Sequence, residues 1–170
     1  PVVQQAAEIG LYGWEFMANG MMGDPTGLTM PLAIEELFWG DAGIGMAIMG
    51  TGLAAAGIAA SGTPEQLMEW VPQCYGDEKD LKLGAFAASE PDAGSDVAGY
   101  RTRAVYDEAT DEWILNGTKA WITNGGIADI HVVVGVVDPE LRAKGHASFI
   151  VPPGTKGLSQ GQKYKKHGIR

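Results

Sequence analysis

Cysteine and histidine are scarce in this sequence. Cys74 is the single cysteine among 170 residues, so the chain cannot form an intramolecular disulfide, and a reducing compartment fits this usage. Three histidines lie far apart, and none is at metal-ligand spacing from another histidine or from the cysteine: His131, His146 and His167. We therefore expect neither a structural nor a catalytic metal.

Basic residues are also few. Twelve lysines and arginines stand against 21 acidic residues, which gives a net charge of −9. Nucleic-acid binding requires a basic face for the phosphates, so nucleic acid is not an expected partner. The only basic cluster lies near the end of the sequence, and we interpret it as a solvated tail or strand edge: Lys163, Lys165, Lys166, His167 and Arg170. No basic segment followed by a cleavage site opens the chain, so no secretory signal is expected.

One charge-free segment, Ala42 to Ala60, is about as long as a bilayer span. It consists mostly of glycine and alanine, and neither an aromatic belt nor a basic flank accompanies it. The composition favours a buried, close-packed helix of a soluble bundle over a stable membrane span.

Helical signals occupy the first part of the chain. Thr29 is a candidate cap for the helix that follows it, whereas the glycines and Asp-Pro pair between Gly13 and Gly27 predict a loop. A capping box with proline at the first helical position, residues 63–66, predicts a helix that ends before Pro72.

From about Leu81 the apolar residues alternate with period two, which predicts strands. The pattern indicates strands in residues 100–106, 130–137 and 147–151, and a further strand in residues 157–164. Asn116-Gly117 between two apolar runs predicts a hairpin turn. We therefore expect an α+β chain with two parts, a partial N-terminal α-helical domain in residues 1–76 and a middle β domain in residues 77–170.

The segment from Leu83 to Asp96 passes from an apolar run into a loop of small and polar residues. Gly94 permits close backbone approach, and the hydroxyls of Ser89 and Ser95 can donate to a bound ligand. An ordinary Pro-Asp turn between strands explains the composition equally well. Either Glu90 or Asp96 could act as a general base, but without a visible paired group we interpret both carboxylates as turn or cap acceptors.

A second segment, residues 116–126, has the same mixture of polar and small residues. In a strand, the side chains of Trp121 and Thr123 would point the same way, so a ring and a hydroxyl could meet an extended aromatic cofactor. Spacing alone favours core packing for both residues.

Gly50-Thr51-Gly52-Leu53-Ala54-Ala55 fits the Gly-x-Gly-x-x-Ala pattern of dinucleotide-binding proteins. That pattern requires a strand before it and a helix after it. The acidic residues downstream lie on a helix behind the capping box, so we do not favour a nicotinamide site here.

Several of these motifs together resemble the acyl-CoA dehydrogenase family over about 140 residues. The likeness rests on the Gly-Thr-x-Glu-Gln helix opening and on further runs along the chain: Glu35-Glu36-Leu37, Ser89 to Asp96, Leu115 to Lys119, Trp121 to Asn124, Phe149 to Val151, and Lys166 to Arg170. The resemblance implies an N-terminal helical bundle portion followed by a mostly antiparallel, β-barrel-like domain. The family's C-terminal helical domain would then be absent from this chain, which would be a fragment of a longer protein.

The resemblance also implies FAD as cofactor, the oxidation of an acyl-CoA thioester to the trans-2-enoyl-CoA in fatty acid β-oxidation, and electron-transfer flavoprotein as acceptor. The FAD-binding residues would be Phe86, Ala88, Ser89, Gly94, Ser95, Trp121, Ile122 and Thr123. Ser95 would also face the CoA part of the substrate, Thr123 would donate to flavin N5, and the Ala42 helix would line the acyl pocket. Phe86 and Ser89 depart mildly from the tyrosine and threonine that many members carry there.

No residue of this chain is expected to be the catalytic base, because the family's glutamate usually lies in the C-terminal domain. The resemblance further implies a homo-oligomer, a dimer of dimers, in the bacterial cytoplasm or the mitochondrial matrix. Two alternatives remain: an acyl-CoA oxidase or flavin monooxygenase on the same fold, and a non-catalytic partner subunit that binds CoA esters.

Overall fold

The computed structural model describes residues 2–77 and 79–169. Helices fill the first part of this region: α1 (Val2–Glu8), α2 (Trp14–Met22), α3 (Thr29–Gly40), α4 (Ala42–Met49), α5 (Gly52–Ala59) and α6 (Pro64–Tyr75). Strands follow: β1 (Gly84–Ala87), β2 (Arg103–Asp107), β3 (Glu112–Asn116), β4 (Ile130–Val136) and β5 (His146–Val151). Two 3₁₀ segments, Val97–Gly99 and Pro139–Gly145, lie between strands.

Strand β4 lies at the centre of the sheet. It pairs antiparallel with β5 from His131 to Val136 and parallel with β1, where Gly84 lies opposite Ile130. Strand β2 joins β4 at Arg103 and Val136, and β3 pairs antiparallel with β2. The α+β class is confirmed, but the sheet is mixed and its described strands do not close, so the expected antiparallel, barrel-like arrangement fits only loosely. The parallel pairing arises because a long connection returns the chain to β1 in the same direction.

The core lies between the sheet and α5. Ile130 and Val132 of β4 are buried together with Ala54 and Ile58 of α5. Small residues allow this approach: a Cβ placed on Gly57 would lie 2.8 Å from the ring of Phe86. The glycine-rich composition of this helix therefore serves close packing of a helix on a sheet.

By length and composition alone, Ala42–Ala59 could cross a membrane, and one third of it is buried. In this fold the segment consists of α4 and α5, which meet at Gly50 and Thr51. Helix α4 contacts α1 and α3, whereas α5 contacts α6, β1 and β4. These contacts favour the interpretation of the segment as part of the packed core.

The capping box at the start of α6 is confirmed. The amide of Gln66 donates to the hydroxyl of Thr63 at 3.3 Å, and the amide of Thr63 donates to the side chain of Gln66 at 2.9 Å. The predicted end before Pro72 is wrong, because the helix continues to Tyr75. Its last turn carries Cys74, whose side chain is completely buried. This burial stabilises the turn and offsets the loss of the backbone hydrogen bond that proline cannot donate.

Thr29 does not cap α3. The carboxylate of Asp24 accepts from the amides of Leu28 and Thr29, at 2.9 and 2.8 Å, and so satisfies donors at the start of this helix. The loop predicted between Gly13 and Gly27 is also wrong over most of its length, because α2 lies there.

The hairpin is not at Asn116-Gly117. Strands β2 and β3 turn at residues 108–111 instead, and the chain leaves the sheet after Asn116. Gly117 is needed for close packing, since a Cβ there would lie 2.4 Å from the hydroxyl of Thr102. The strand predicted in residues 157–164 does not form, and Arg170 lies outside the described residues.

Candidate functional site

Two loops meet beside the end of β1. The first loop follows β1 and contains residues 88–96, and the second contains residues 117–124. The amide of Ala120 donates to the carbonyl of Ser89 at 2.9 Å, and the ammonium of Lys119 donates to the carbonyl of Ala88 at 2.9 Å. The fold therefore brings together the two segments that the sequence marks as ligand-binding.

A buried ion pair holds this junction. The Nζ of Lys119 lies 2.9 Å from Oε1 of Glu90, and the two side chains are only 10% and 6% exposed. The same ammonium lies 4.5 Å from the ring centroid of Tyr100, within the range of a cation–π contact. Sequence reasoning missed Lys119 as the partner of Glu90; a lone lysine beside an apolar run offers only a weak signal.

The carboxylate of Glu90 is ionised and fully engaged. It accepts from the amides of Arg101 at 2.7 Å and Thr102 at 2.9 Å, so it does accept backbone hydrogen bonds, but from a segment 11 and 12 residues away rather than from a local turn or cap. Burial raises the pKa of this carboxyl, but the hydrogen bonds from Thr102, Lys119 and Arg101 outweigh burial and lower the pKa to about 2. A general base must be able to take up a proton near neutral pH, so Glu90 is unsuited to that role.

Most residues from 91 to 96 of the first loop are exposed, although Ala93 is buried. Gly94 and Ser95 both face solvent, and a Cβ placed on Gly94 would meet no heavy atom within 4 Å. The hydroxyls of Ser89 and Ser95 have no hydrogen-bond partner within residues 2–77 and 79–169. This loop therefore offers free donors and open space for a ligand.

Trp121 contradicts both expectations based on its spacing. It lies in a turn rather than a strand, and its side chain is 65% exposed rather than packed in the core. Its ring stacks on that of Tyr164, with centroids 4.3 Å apart and an interplanar angle of 22°. Its φ of 63° is in the left-handed region, a conformation that is costly for a tryptophan and concentrates at functional sites.

Thr123 and Ile122 are half-buried in the same turn. A Cβ placed on Gly50 would lie 2.9 Å from the methyl group of Thr123, so glycine at the α4–α5 junction lets this loop approach the helices. The side chain of Asn124 donates to the carbonyl of Gly84 at 3.2 Å and fixes the loop against β1. The strand alternation expected for Trp121 and Thr123 is therefore wrong, although both residues stay in one short turn.

The dinucleotide-like pattern at residues 50–55 has a structural explanation. It lies between two helices, and Thr51 is completely buried. The hydroxyl of Thr51 accepts from the amide of Gly84 at 3.1 Å and lies 3.0 Å from the hydroxyl of Tyr12, which itself donates to the carbonyl of Lys82. These bonds connect the α4–α5 junction to β1.

Phe86 is placed differently from the other candidates. Its ring is half-buried and packs on Gly57 of α5, so it faces the helical layer. Ala88 contributes its carbonyl to Lys119 rather than a side-chain contact. Among the residues that the structure describes, no cluster of three histidine, cysteine or acidic side chains could hold a metal ion.

The arrangement fits a planar aromatic ligand with polar edges. An exposed indole ring, two hydroxyls without partners and an open glycine lie on two loops whose backbones are hydrogen-bonded to each other. Aromatic stacking can hold the face of such a ligand, while the hydroxyls can donate to its carbonyl and ring acceptors. An isoalloxazine has both features.

Comparison with known proteins matches this chain to one family. Residues 1–78 match the family described as "Acyl-CoA dehydrogenase, N-terminal domain", and residues 85–170 match "Acyl-CoA dehydrogenase, middle domain". The mitochondrial short-chain specific acyl-CoA dehydrogenase of Bos taurus is 42% identical over 145 residues, which cover 84% of this chain and 34% of that protein.

Two solved structures are similar over nearly the whole chain. One is a glutaryl-CoA dehydrogenase from Mycobacterium smegmatis in complex with FADH2, with a TM-score of 0.78 and 32% identity, covering 99% of this chain and 42% of that one. The other belongs to a study of the electron transferring flavoprotein of Acidaminococcus fermentans, with a TM-score of 0.81 and 33% identity, covering 98% of this chain and 43% of that one. The chain spans 34–44% of the length of curated relatives such as the bovine and Megasphaera elsdenii short-chain enzymes. It belongs to the acyl-CoA dehydrogenase family.

Proposed function

We propose that this chain supplies the flavin-facing loops of an FAD-dependent enzyme that oxidises an acyl-CoA thioester to the trans-2-enoyl-CoA. The observation that carries the proposal is the junction of residues 88–96 with residues 117–124, where Trp121 is exposed beside loops with free hydroxyls. Its membership of the family and its likeness to a glutaryl-CoA dehydrogenase in complex with FADH2 support FAD as the cofactor.

Each loop has a distinct part in this proposal. Trp121 stacks on the isoalloxazine and shields one side of it from water, while Ser89 and Thr123 donate to polar atoms of the ring. Gly94 leaves room for the cofactor, and Ser95 binds both the cofactor and the CoA part of the substrate. FAD, when bound, would supply the acceptor for the hydride from the substrate's β-carbon, while the α-proton would go to a base that we do not assign to this chain.

Three of the candidate residues would contribute to the proposed FAD site indirectly: Phe86, Ala88 and Ile122. Phe86 packs on α5, Ala88 anchors Lys119 through its carbonyl, and Ile122 lies in the turn that presents Trp121. We assign no catalytic base to this chain.

The division into residues 1–76 and 77–170, the homo-oligomer and the cytoplasmic or matrix location remain part of the proposal. We also propose an electron-transfer flavoprotein as the acceptor, supported by the likeness to a structure from the flavoprotein study.

The test compares two tryptophans. Trp121→Ala should weaken FAD binding by about 2- to 13-fold, since stacked rings contribute about 0.5–1.5 kcal/mol beyond their buried area. It should change the unfolding midpoint little, because this side chain is 65% exposed. Trp113→Ala is the control: Trp113 packs on Tyr106 and Phe149, so its loss should lower the midpoint and leave flavin binding intact.

Flavin fluorescence titration and urea unfolding measure the two quantities. Equal losses of flavin binding and stability in Trp121→Ala would support a packing role and contradict the proposal. Ser95→Ala should weaken the binding of an acyl-CoA ester measured by calorimetry, and an unchanged dissociation constant would remove the substrate assignment for Ser95.

Activity is tested on the FAD-loaded full-length parent protein under anaerobic conditions, because we assign no catalytic base to this chain. The oxidised flavin band at about 450 nm should bleach on addition of one class of acyl-CoA ester. Rapid reoxidation by air would favour the oxidase alternative. A protein that binds CoA esters but cannot be reconstituted with FAD would favour the non-catalytic partner subunit.

A further inference from the structure

Arginines cluster in one groove of this acidic chain. The sequence has four arginines, and three of them, Arg101, Arg103 and Arg142, line a groove of about 200 Å³. Its lining also includes Tyr100 and His146 but, among the described residues, no aspartate or glutamate. In a chain with a net charge of −9, this is a local concentration of positive charge without an acidic lining.

The three arginines come from two segments that the fold brings together. Arg101 precedes β2, Arg103 begins β2 where that strand meets β4, and Arg142 lies in the 3₁₀ segment Pro139–Gly145. Tyr100 and His146 stack within the groove, with ring centroids 5.4 Å apart and an interplanar angle of 22°. The stacked pair lies in the groove lining among the arginines.

Arg142 has a backbone conformation suited to glycine, with φ 52° and ψ −128°. A long charged side chain is costly in this conformation, and such strain persists at ligand clamps when surrounding structure imposes it. Of the three guanidinium groups, that of Arg101 alone has a carboxylate partner among the described residues, Asp92 at 3.8 Å, and both of those side chains are about 80% exposed. An exposed pair of this kind is weak and yields readily to a stronger anion.

We propose that this groove binds a phosphate group. Guanidinium groups bind phosphate oxygens through paired N–H donors, and three of them can surround a dianion. The volume is below the roughly 300 Å³ of the smallest typical sites for drug-sized ligands, which suits a phosphate group rather than a whole nucleotide. Ala98 lines the groove three residues after Ser95, so, resting on the proposed function, the natural source is a phosphate of the CoA part of the substrate.

Calorimetry with inorganic pyrophosphate, CoA and 3′-dephospho-CoA tests the proposal on the whole chain. Arg103→Gln should weaken pyrophosphate and CoA binding by about tenfold, since it removes a charged hydrogen-bond donor to the phosphate oxygens. Lys165→Gln is the matched control: it removes one positive charge from the exposed cluster near the end of the chain and should change affinity less than about twofold.

Arg142→Gly provides a second variant whose folding is not at risk, because glycine accepts the backbone conformation of residue 142. It should keep or raise the unfolding midpoint while weakening phosphate binding by a similar factor. The expected pattern is loss of affinity in both groove variants and not in the control.

The outcomes separate this proposal from the proposed function. Equal losses of affinity in Arg103→Gln and Lys165→Gln would show non-specific electrostatic attraction and would overturn the proposed phosphate site. Binding of both pyrophosphate and CoA that is unaffected in both groove variants would overturn the proposed phosphate site and leave the acyl-CoA proposal standing. Arginine-dependent binding of pyrophosphate without binding of CoA would support the groove and count against the acyl-CoA proposal. A smaller affinity for 3′-dephospho-CoA than for CoA would assign the groove to the 3′-phosphate.

Discussion

Replacing Lys119 with methionine removes the cation from the buried junction of the two loops. Methionine has a similar length and no charge, so the change isolates the electrostatic part of the interaction. In the variant, the carboxylate of Glu90 stays 6% exposed without a countercharge, and the carbonyl of Ala88 loses the donor that lay 2.9 Å away.

The size of the effect follows from what remains. Removing one partner of a buried ion pair costs about 3–5 kcal/mol of unfolding free energy. Glu90 keeps two backbone hydrogen bonds, from the amides of Arg101 and Thr102, which stabilise its charge. We therefore expect the lower end of that range, about 3 kcal/mol, including the lost bond to Ala88.

Urea unfolding followed by tryptophan fluorescence measures this free energy. Lys82→Met is the control, because Lys82 lies 3.6 Å from the exposed carboxylate of Asp80, and such a pair contributes about 0–1 kcal/mol. In a double variant, Glu90→Gln should recover about 2 kcal/mol of the loss, since no uncompensated charge remains buried. If Lys119→Met cost no more than Lys82→Met, or if Glu90→Gln restored nothing, the assigned role of the pair would be refuted.

Three further predictions concern stability. The pKa of Glu90 is about 2 in the folded chain against an ordinary 4.5. Its contribution to the unfolding free energy is therefore present above pH 4.5 and is lost as pH falls toward 2. The unfolding free energy measured against pH should show this loss, and Glu90→Gln should make the pH dependence flatter. Thr63→Ala should lower the unfolding free energy by about 1 kcal/mol and Thr63→Ser by much less, and equal effects would exclude the capping hydroxyl as the cause. Thr51→Val should cost about 2 kcal/mol because the amide of Gly84 loses its acceptor, whereas Thr51→Ser should retain most of the stability in the same assay.

Local sequence motifs predicted a helix boundary where hydrogen bonds between residues close in sequence determine it. The capping box at Thr63 is such a case, because both of its hydrogen bonds join residues three positions apart. The end of α6 was not predictable in the same way. The chain continues past Pro72 because Cys74 and Tyr75 are buried by distant elements, and their burial is invisible in the local sequence.

The site shows the same division. The polar loop after β1 and the segment around Trp121 could be identified from composition and family resemblance. The conformation of Trp121 could not, because its left-handed φ and its stacking on Tyr164 depend on residues more than 40 positions apart in sequence. The partner of Glu90 lies 29 residues away, and only the folded chain brings Lys119 to it.

The hydrogen bonds from Lys119 and Ala120 to residues 88–90 determine where extra residues could be inserted into the chain. They close residues 90–119 into a loop whose base is fixed and whose far end is the exposed turn at residues 108–111. Because loop-closure entropy rises only slowly with length, extra residues at that turn cost little once the base is formed. The hairpin tip is therefore a natural place for insertions, or for an engineered tag, that would leave the two loops of the candidate site in register.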